Sequence, residues 1–267
     1  MSAHIHETAV IHPTALIAPT AVVGAHARIG PRCRLDHYAV IGAHTTLGHD
    51  NHVFSFAVVG GPAQDRRTQP DESNALICGD NNIFREGATI SRGTHHGGGV
   101  TRIGDGNLFM AHSHVGHDAL LGDGNTLANG VSLAGHVAFG DQVTIGGHAA
   151  VHQFVRIGSL AFVAANAMVS RDIPPYCMAA GDRAKLLGLN TTGLKRAGVS
   201  EVARSALLDT FRALLRMPRG ARRERAHAAL EHQTPEVVRL ATFILNSERG
   251  VASASRRDPA SDDGPIH

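Results

Sequence analysis

The sequence lacks tryptophan and has few aromatic residues of any kind. Phe, Trp and Tyr make up 4% of its 267 residues, although 43% are hydrophobic. A core built from this composition must be filled by Val, Ile, Leu and Ala, and 30 glycines supply the bends. No window approaches the ~18 consecutive apolar residues that a membrane-spanning helix needs, and the N-terminus lacks the basic and apolar regions of a signal peptide. We therefore expect a soluble, cytoplasmic protein with a regular repeat and no membrane span.

Cysteine and net charge are also scarce. The three cysteines, Cys33, Cys78 and Cys177, are far apart, odd in number and without metal-ligand or redox spacing, which favours a reducing cytoplasm. The formal net charge is only +2, which argues against nucleic acid as a partner of the whole protein.

A period of six residues dominates the first two thirds of the chain. An aliphatic residue returns at every sixth position from Ile5 to Val59, and a small residue follows each one four positions later. The pattern reappears at Ile77 and Ile83 and then runs from Ile103 to Val169. A period of six fits neither a helix nor simple strand alternation, so it predicts a coil of short strands that each point one side chain inward.

Two interruptions and one histidine cluster stand out in this repeat. The interruptions cover residues 60–75 and 93–102, and insertions in a solenoid usually form loops on one face. The cluster contains His112, His114, His117 and His136, and Asp118 directly follows His117. A histidine beside a carboxylate is a common general base near neutral pH. The repeat alone would also suit a β-helix without enzymatic activity.

The chain changes character after Val169, where Asp172-Ile173-Pro174-Pro175 ends the repeat because proline cannot donate ladder hydrogen bonds. We predict helices from Ser200, over residues 222–231, and from Thr234 to before Gly250. The predicted division is a β-helix at 1–180, a helical domain at 181–250 and a disordered tail at 251–267. Residues 195–231 contain nine Lys or Arg against four Asp or Glu, a net charge of +5 that suits an acidic partner or simply a solvated face.

Several specific strings resemble the UDP-N-acetylglucosamine O-acyltransferase family of lipid A biosynthesis. They are Arg92-Gly93-Thr94 with Gly97-Gly98-Gly99, His114-Val115-Gly116-His117-Asp118, Leu133-Ala134-Gly135-His136, Ala150-Val151-His152-Gln153-Phe154, Asp172 to Tyr176, and Gly193-Leu194-Lys195-Arg196. The resemblance implies a left-handed parallel β-helix followed by a C-terminal α-helical domain. It implies transfer of a 3-hydroxyacyl group from acyl carrier protein to the sugar 3-hydroxyl of UDP-N-acetylglucosamine, in a homotrimer that needs no cofactor or metal.

The resemblance also implies roles for single residues. His117 would be the general base, Asp118 would orient it, and the Gly135 N–H would stabilise the oxyanion. Ala165 would limit the length of the acyl chain. The residues implied in substrate binding are Asp65, Arg67, His114, His136, His152, Gln153, Asn190 and Arg196.

Departures from the family pattern keep alternatives open. Arg67, Ser91, Arg183, Thr192 and Ala197 differ from the residues usual in the family and are expected to face the substrate. A related UDP-amino sugar, or N-acylation of an amino sugar, therefore remains an alternative. A zinc-dependent hydratase is a second one, with His112, His114 and His117 as candidate ligands, and a β-helical binding protein without activity is a third.

Overall fold

The computed structural model describes residues 3–68, 74–216 and 219–255, with the backbone alone at 219–221. Its larger part is a coil that passes in turn through three parallel sheets, here named A, B and C. Sheet A contains His4–Ile5, Val22–Val23, Val40–Ile41, Val58–Gly61, Thr89–Ser91, His114–Val115, Ser132–Leu133, Ala150–Val151 and Met168–Val169. Sheet B contains Val10–Ile11, Arg28–Ile29, Thr45–Leu47, Ala75–Cys78, Val100–Ile103, Leu120–Leu121, Ala138–Phe139 and Arg156–Ile157. Sheet C contains Leu16–Ile17, Arg34–Leu35, His52–Val53, Ile83–Phe84, Leu108–Phe109, Thr126–Leu127, Thr144–Ile145, Phe162–Val163, Cys177–Ala180 and Lys185–Leu189.

Every described two-residue strand from Val22–Val23 onward buries the second of its two side chains, as the six-residue period predicts, whereas Ile5 in the first coil is 46% exposed. Val23, Ile41 and Val59 are at most 1% exposed. The small residues that follow four positions later occupy the corners between sheets, and Ala21, Ala27 and Ala39 are fully buried there. A larger side chain has no room at these corners, which explains the second half of the pattern.

The predicted phase at Ile77 and Ile83 is wrong by one residue. These side chains are 36% and 38% exposed, whereas Cys78 and Phe84 fill the interior. The first interruption separates the inward residues Val59 and Cys78 by one position more than a multiple of six, so it shifts the phase. The second interruption shifts it again between Ile90 and Ile103, both of which are buried.

Buried asparagines stack at the corner between sheets B and C. Asn51 Oδ1 accepts the N–H of Asn82 at 3.0 Å, Asn82 Oδ1 accepts that of Asn107 at 2.9 Å, and Asn107 Oδ1 accepts that of Asn125 at 2.8 Å. These bonds satisfy buried amide groups from one coil to the next and hold the coils in register.

The corner between sheets A and B, here the A–B edge, carries both interruptions. Val58–Gly61 and Thr89–Ser91 belong to sheet A, and the strands that follow them, Ala75–Cys78 and Val100–Ile103, belong to sheet B. Both loops therefore leave from the same edge of the molecule. The second loop contains a short 3-10 helix at His95–Gly97.

The C-terminal part begins with an antiparallel strand. Lys185–Leu189 pairs with Cys177–Ala180, so the coil continues for one strand beyond the prolines. The described residues that follow contain four helices: α1 (Thr191–Arg196), α2 (Glu201–Leu215), α3 (Arg219–Ala228), which runs into a 3-10 turn at Ala229–Glu231, and α4 (Pro235–Leu245). Among the described residues, no helix is long and apolar enough to cross a membrane.

The helix predictions hold in outline. The Ser200 side chain caps α2 by accepting the Ala203 N–H, and α4 has Thr234 at its N-cap and Pro235 in its first turn. The second helix begins three residues earlier than predicted. On α2, Val202 is 78% exposed although its spacing suggested the inner face.

The predicted boundary of the disordered tail is wrong in part. Val251 and Ala252 are 5% and 2% exposed. The Ala252 N–H donates to Asp172 O at 2.9 Å, and the Ser255 N–H donates to Leu186 O at 2.7 Å. Residues 251–255 therefore belong to the fold, because they close the end of the coil; residues 256–267 lie outside the described part of the chain.

Candidate functional site

The candidate site lies on the A–B edge, where successive coils stack their corner residues. His117 and Asp118 follow the sheet A strand His114–Val115, and Gly135 and His136 occupy the same two positions one coil further. Asp118 and His136 both adopt a left-handed backbone, with φ of 57° and 61°. The coil therefore brings together residues that are eighteen positions apart in the sequence.

His117 and Asp118 form a hydrogen-bonded pair. His117 Nδ1 lies 2.8 Å from Asp118 Oδ2, and the side chains are 16% and 2% exposed. Because a carboxylate only accepts, the hydrogen-bonded nitrogen carries the proton and Nε2 keeps a free lone pair. The imidazole is thus held in the form and orientation that a general base needs.

Thr94 supplies the remaining partners of this carboxylate. Its N–H donates to Asp118 Oδ1 at 2.9 Å and its hydroxyl donates to Oδ2 at 2.6 Å. Burial alone would raise the pKa of Asp118, but the hydrogen bonds from Thr94 and His117 outweigh it and lower that pKa. Asp118 is consequently a buried carboxylate that remains ionised at neutral pH.

A second carboxylate lies near Nε2 of His117. Asp65, in the first loop, places Oδ2 4.0 Å from His117 Nε2 and 3.2 Å from His96 Nε2 in the second loop. A bidentate contact with Arg67 holds the pKa of Asp65 well below its usual range. This charge favours the imidazolium that His117 forms when it takes a proton.

Gly135 lies directly against the His117 ring. A Cβ atom at position 135 would come within 2.7 Å of His117 Cε1 and 2.8 Å of Nε2, so any side chain there would have to displace the ring. Among the described residues, no backbone carbonyl accepts the Gly135 N–H. The N–H groups of His117 and Ala25, at the same corner position of other coils, are also without such an acceptor, so the coil geometry leaves this donor available.

His136 and His114 flank His117 as neutral imidazoles. The His136 ring lies edge-on to the His117 ring with centroids 5.1 Å apart, and it stacks on Phe154. Burial lowers the pKa of His136 against the opposing charge of Asp118, and burial together with His117 lowers the pKa of His114. His114 Nδ1 is 2.8 Å from the hydroxyl oxygen of Thr89.

The structure brings some predicted residues together and separates others. Asp65, Arg67, His114, His117, Asp118, Gly135 and His136 form one cluster, and His152 and Gln153 are exposed on the next coil of the same edge. Ala165 lies at the corner between sheets C and A. Asn190 lies near the corner between sheets B and C, where its amide donates to Leu160 O and its Oδ1 caps α1. Arg196, the last residue of α1, is exposed in that region. One chain therefore does not assemble the whole predicted site.

The proposed zinc ligands are also not brought together. His112 lies at the corner between sheets C and A, away from His117 on the A–B edge. A different trio, His117, Asp118 and His136, has ligand atoms within 4.8 Å of one another. However, Thr94 and His117 already occupy both oxygens of Asp118. The carboxylate that would have to bind a cation is therefore already bonded to donors of the protein.

Thr94 and His96 are functional candidates that the sequence does not single out. Thr94 belongs to the Arg92-Gly93-Thr94 string, but its bonds to Asp118 depend on the path of the second loop. His96 approaches Asp65 only because both loops leave from one edge. In the sequence, the only indication of a role for these two residues is that they are polar and lie in an interruption of the repeat.

Solved structures of similar architecture match almost the whole chain. The UDP-N-acetylglucosamine acyltransferase of Francisella novicida superposes with a TM-score of 0.92 at 32% identity, covering 99% of this chain and 98% of that one. The corresponding protein of Campylobacter jejuni superposes with a TM-score of 0.77 at 35% identity, covering 94% and 100%.

Sequence relatives agree with these structures. Proteins named acyl-[acyl-carrier-protein]--UDP-N-acetylglucosamine O-acyltransferase are 45% identical over 195 residues in Anaeromyxobacter dehalogenans strain 2CP-1 and 46% over 197 residues in Myxococcus xanthus strain DK1622. In both cases the match covers 72% of this chain and 75% of the relative. The sequence model of UDP-N-acetylglucosamine O-acyltransferase domain 2 matches residues 172–252.

Fold and site together define a hexapeptide-repeat protein whose left-handed parallel β-helix carries a carboxylate-oriented histidine on one edge. The relatives make the assignment narrower: the chain belongs to the UDP-N-acetylglucosamine O-acyltransferase family. The predicted fold class and the predicted family are thereby confirmed.

Proposed function

We propose that this protein transfers a 3-hydroxyacyl group from acyl carrier protein to the 3-hydroxyl of UDP-N-acetylglucosamine. The names of its relatives support this substrate pair. The observation that carries the proposal is the His117–Asp118 pair, with its free Nε2 directed to an edge where the Gly135 N–H is also available. We also infer a cytoplasmic location, which suits three free, buried cysteines.

The chemistry follows from these groups. His117 Nε2 removes the proton of the sugar hydroxyl while the hydroxyl oxygen attacks the carbonyl carbon of the thioester. The Gly135 N–H donates to the oxyanion of the tetrahedral intermediate. When the carbon–sulfur bond breaks, the imidazolium returns its proton to the leaving thiolate, so His117 is regenerated and a new ester bond remains. Asp118 stays ionised throughout and stabilises the imidazolium.

Substrate contacts are proposed for the rest of the cluster and for residues on other edges. His114, His136, His152, Gln153, Asp65 and Arg67 would bind the sugar and diphosphate, and Asn190 and Arg196 would bind the nucleotide. Arg196 offers the forked donors that suit a diphosphate. Ala165 would close the pocket of the acyl chain.

These residues come from three different edges, which favours a shared site. A narrow coil cannot wrap around a substrate, so a second copy must supply the groups that one chain holds elsewhere. We therefore infer a closed homotrimer with its active sites between neighbouring copies. The basic residues of α2 and α3 would attract the acidic carrier protein.

The proposal is tested by incubating the protein with UDP-N-acetylglucosamine and a 3-hydroxyacyl carrier protein, with the product identified by mass spectrometry. His117→Ala should lower turnover at least ~10²-fold, because general-base catalysis contributes about 10²–10⁴-fold. His12→Ala, which removes an exposed imidazole from an early coil, should leave turnover unchanged. Near-normal turnover of His117→Ala would show that His117 is not the general base. If the unmodified protein forms no acylated sugar nucleotide, the proposed function is refuted.

A further inference from the structure

An arginine from the C-terminal segment reaches the imidazole of His152. His152 follows the sheet A strand Ala150–Val151, on the A–B edge and two coils beyond His117. Arg249 lies four residues after the end of α4, and its Nη2 is 2.9 Å from His152 Nδ1. Because a guanidinium can only donate hydrogen bonds, this Nδ1 accepts, and the imidazole is neutral with its proton on Nε2.

The same nitrogen has a second possible partner, which would favour the opposite tautomer. The carbonyl oxygen of Gln153 lies 3.2 Å from His152 Nδ1. A carbonyl oxygen can only accept, so a bond to it would require the proton on Nδ1 and would leave a lone pair on Nε2. The Arg249 guanidinium is closer and charged, and hydrogen bonds that involve a charged group are the stronger ones. Arg249 therefore decides between the two tautomers.

Arg249 is itself held by bonds from its side chain and its backbone. Its Nε donates to Ser170 O at 2.8 Å, and its carbonyl oxygen accepts a hydrogen bond from Arg171 Nη1 at 3.0 Å. Ser170 and Arg171 belong to the coil that follows the coil of His152. Since the donors of a guanidinium form a rigid fork, the bond to Ser170 O also fixes the direction in which Nη2 points. The side chain thus bridges two neighbouring coils of the A–B edge.

The segment that carries Arg249 has attachments that do not involve the guanidinium. Ser247 Oγ donates to Asp172 Oδ2 at 2.7 Å, next to the end of the coil. The Asp172 N–H donates to Gly250 O at 3.2 Å, and the Ala252 N–H donates to Asp172 O at 2.9 Å. We therefore expect that loss of the Arg249 side chain changes the surroundings of the imidazole without detaching the C-terminal segment.

We propose that Arg249 is a positioning residue that fixes His152 as a hydrogen-bond donor to the sugar nucleotide. The inference rests on the proposed function, in which His152 contacts the sugar and the diphosphate. Both groups offer oxygen acceptors, and a neutral imidazole with its proton on Nε2 can donate to one of them. With a diphosphate oxygen this bond is charge-assisted. The C-terminal segment thus contributes to substrate binding through an imidazole on the coil.

The tautomer of His152 can be measured directly. Solid-state nitrogen NMR of histidine-labelled protein, in mildly alkaline buffer, shows which ring nitrogen carries the proton, and the spectrum of His152→Ala identifies the signals of this residue. In the unmodified protein we expect the proton on Nε2. In Arg249→Met, which removes the guanidinium, we expect the proton on Nδ1, where the Gln153 carbonyl accepts it. A proton on Nδ1 in the unmodified protein would overturn the inference, even if the variant did not fold.

Arg156→Met is the matched control for a purely structural effect. Arg156 is an exposed residue of sheet B, and its Nη1 donates to Asn246 O at 2.9 Å. This variant therefore also removes a bond between an arginine side chain and the C-terminal segment, but away from His152. We expect the control to leave the tautomer of His152 unchanged, whatever its effect on thermal stability. A change of tautomer in both variants would show that the segment as a whole, and not the Arg249 guanidinium, sets the state of the imidazole.

Steady-state kinetics give a second readout that also separates this inference from the proposed function. Arg249→Met should raise KM for UDP-N-acetylglucosamine about tenfold or more, through loss of a charge-assisted bond, with kcat nearly constant. Combining it with His152→Ala should raise KM no further than His152→Ala alone, because Arg249 acts through that imidazole. Additive effects would overturn the positioning role and leave the acyltransferase activity standing. Absence of acyl transfer would refute the proposed function, and the NMR measurement would still decide the role of Arg249.

Discussion

Thr94 holds the His117–Asp118 pair in place through two groups, its N–H and its hydroxyl, that both bond to Asp118. Its N–H and its hydroxyl each bind one oxygen of Asp118, and the second of those oxygens also receives His117 Nδ1. A carboxylate held by three donors cannot rotate away from the imidazole. Thr94 is therefore a positioning residue that acts on His117 through Asp118.

Replacing this hydroxyl should slow turnover without weakening substrate binding. Thr94→Val keeps the shape of the side chain and the backbone N–H but removes one hydrogen bond to a charged group, a loss of about 1.5–3 kcal/mol. We expect kcat to fall roughly tenfold or more with KM nearly constant. Steady-state kinetics on Thr94→Ser provides the control, because its hydroxyl can restore the bond; a Ser variant as slow as the Val variant would contradict the role.

Gly135 offers a second test at a single position. The added methyl of Gly135→Ala would overlap the His117 ring at 2.7 Å, so we expect the imidazole to be displaced and turnover to fall ~10²-fold or more, the lower end of what general-base catalysis contributes. Gly147→Ala is the matched control, because position 147 is the equivalent corner of another edge and its nearest neighbour is 3.4 Å away. Comparable turnover in the two variants would show that Gly135 has no special relation to the base.

Strands and loops differ in how far the sequence predicts them. The inward residues of uninterrupted coils follow from the period alone, because one side chain per strand must fill the interior. After the first loop, Ile77 and Cys78 were both apolar candidates, and only the path of the loop decides that Cys78 points inward. The same limit applies to the site. Adjacency predicts the His117–Asp118 pair, whereas the approach of Thr94 and Asp65 requires knowing that both loops leave from one edge.

The segment 251–255 gives a prediction about stability. Val251 is 5% exposed and its strand-like contact with Asp172 closes the coil. Val251→Asp replaces a buried isopropyl group by an unpaired carboxylate, which should lower the free energy of unfolding by roughly 2–4 kcal/mol. Val202→Asp, at a position that is 78% exposed, should have almost no effect. The melting temperatures of the two variants are compared by thermal unfolding. Equal values would contradict the conclusion that residues 251–255 are part of the folded structure.

The complete molecule is proposed to act only as an assembly. The proposed base His117 lies on the A–B edge, the candidate nucleotide ligands Asn190 and Arg196 lie near another edge, and Ala165 lies on the third. No rearrangement within one rigid coil can bring these edges together. A homotrimer would solve the problem by placing different edges of neighbouring copies face to face.

Mixed assemblies test this arrangement directly. If each site takes its base from one copy and its nucleotide ligand from the next, His117→Ala and Arg196→Ala should each be nearly inactive alone. Co-expression of the two differently tagged variants, followed by purification through both tags, should restore a fraction of the activity. A mixture as inactive as its parts would mean that one copy supplies both residues, and light scattering of a stable, active monomer would contradict the assembly.

The common origin of the two loops on the A–B edge has a consequence for how such enzymes diversify. A residue inserted within a strand would move its later side chains from the interior to the surface. Each of the two loops already contains one residue more than the six-residue period requires, and the strands that follow still pair in the parallel sheets. Substrate preference can thus change through lengthening or shortening of these two loops, while the strand register of the other coils is preserved.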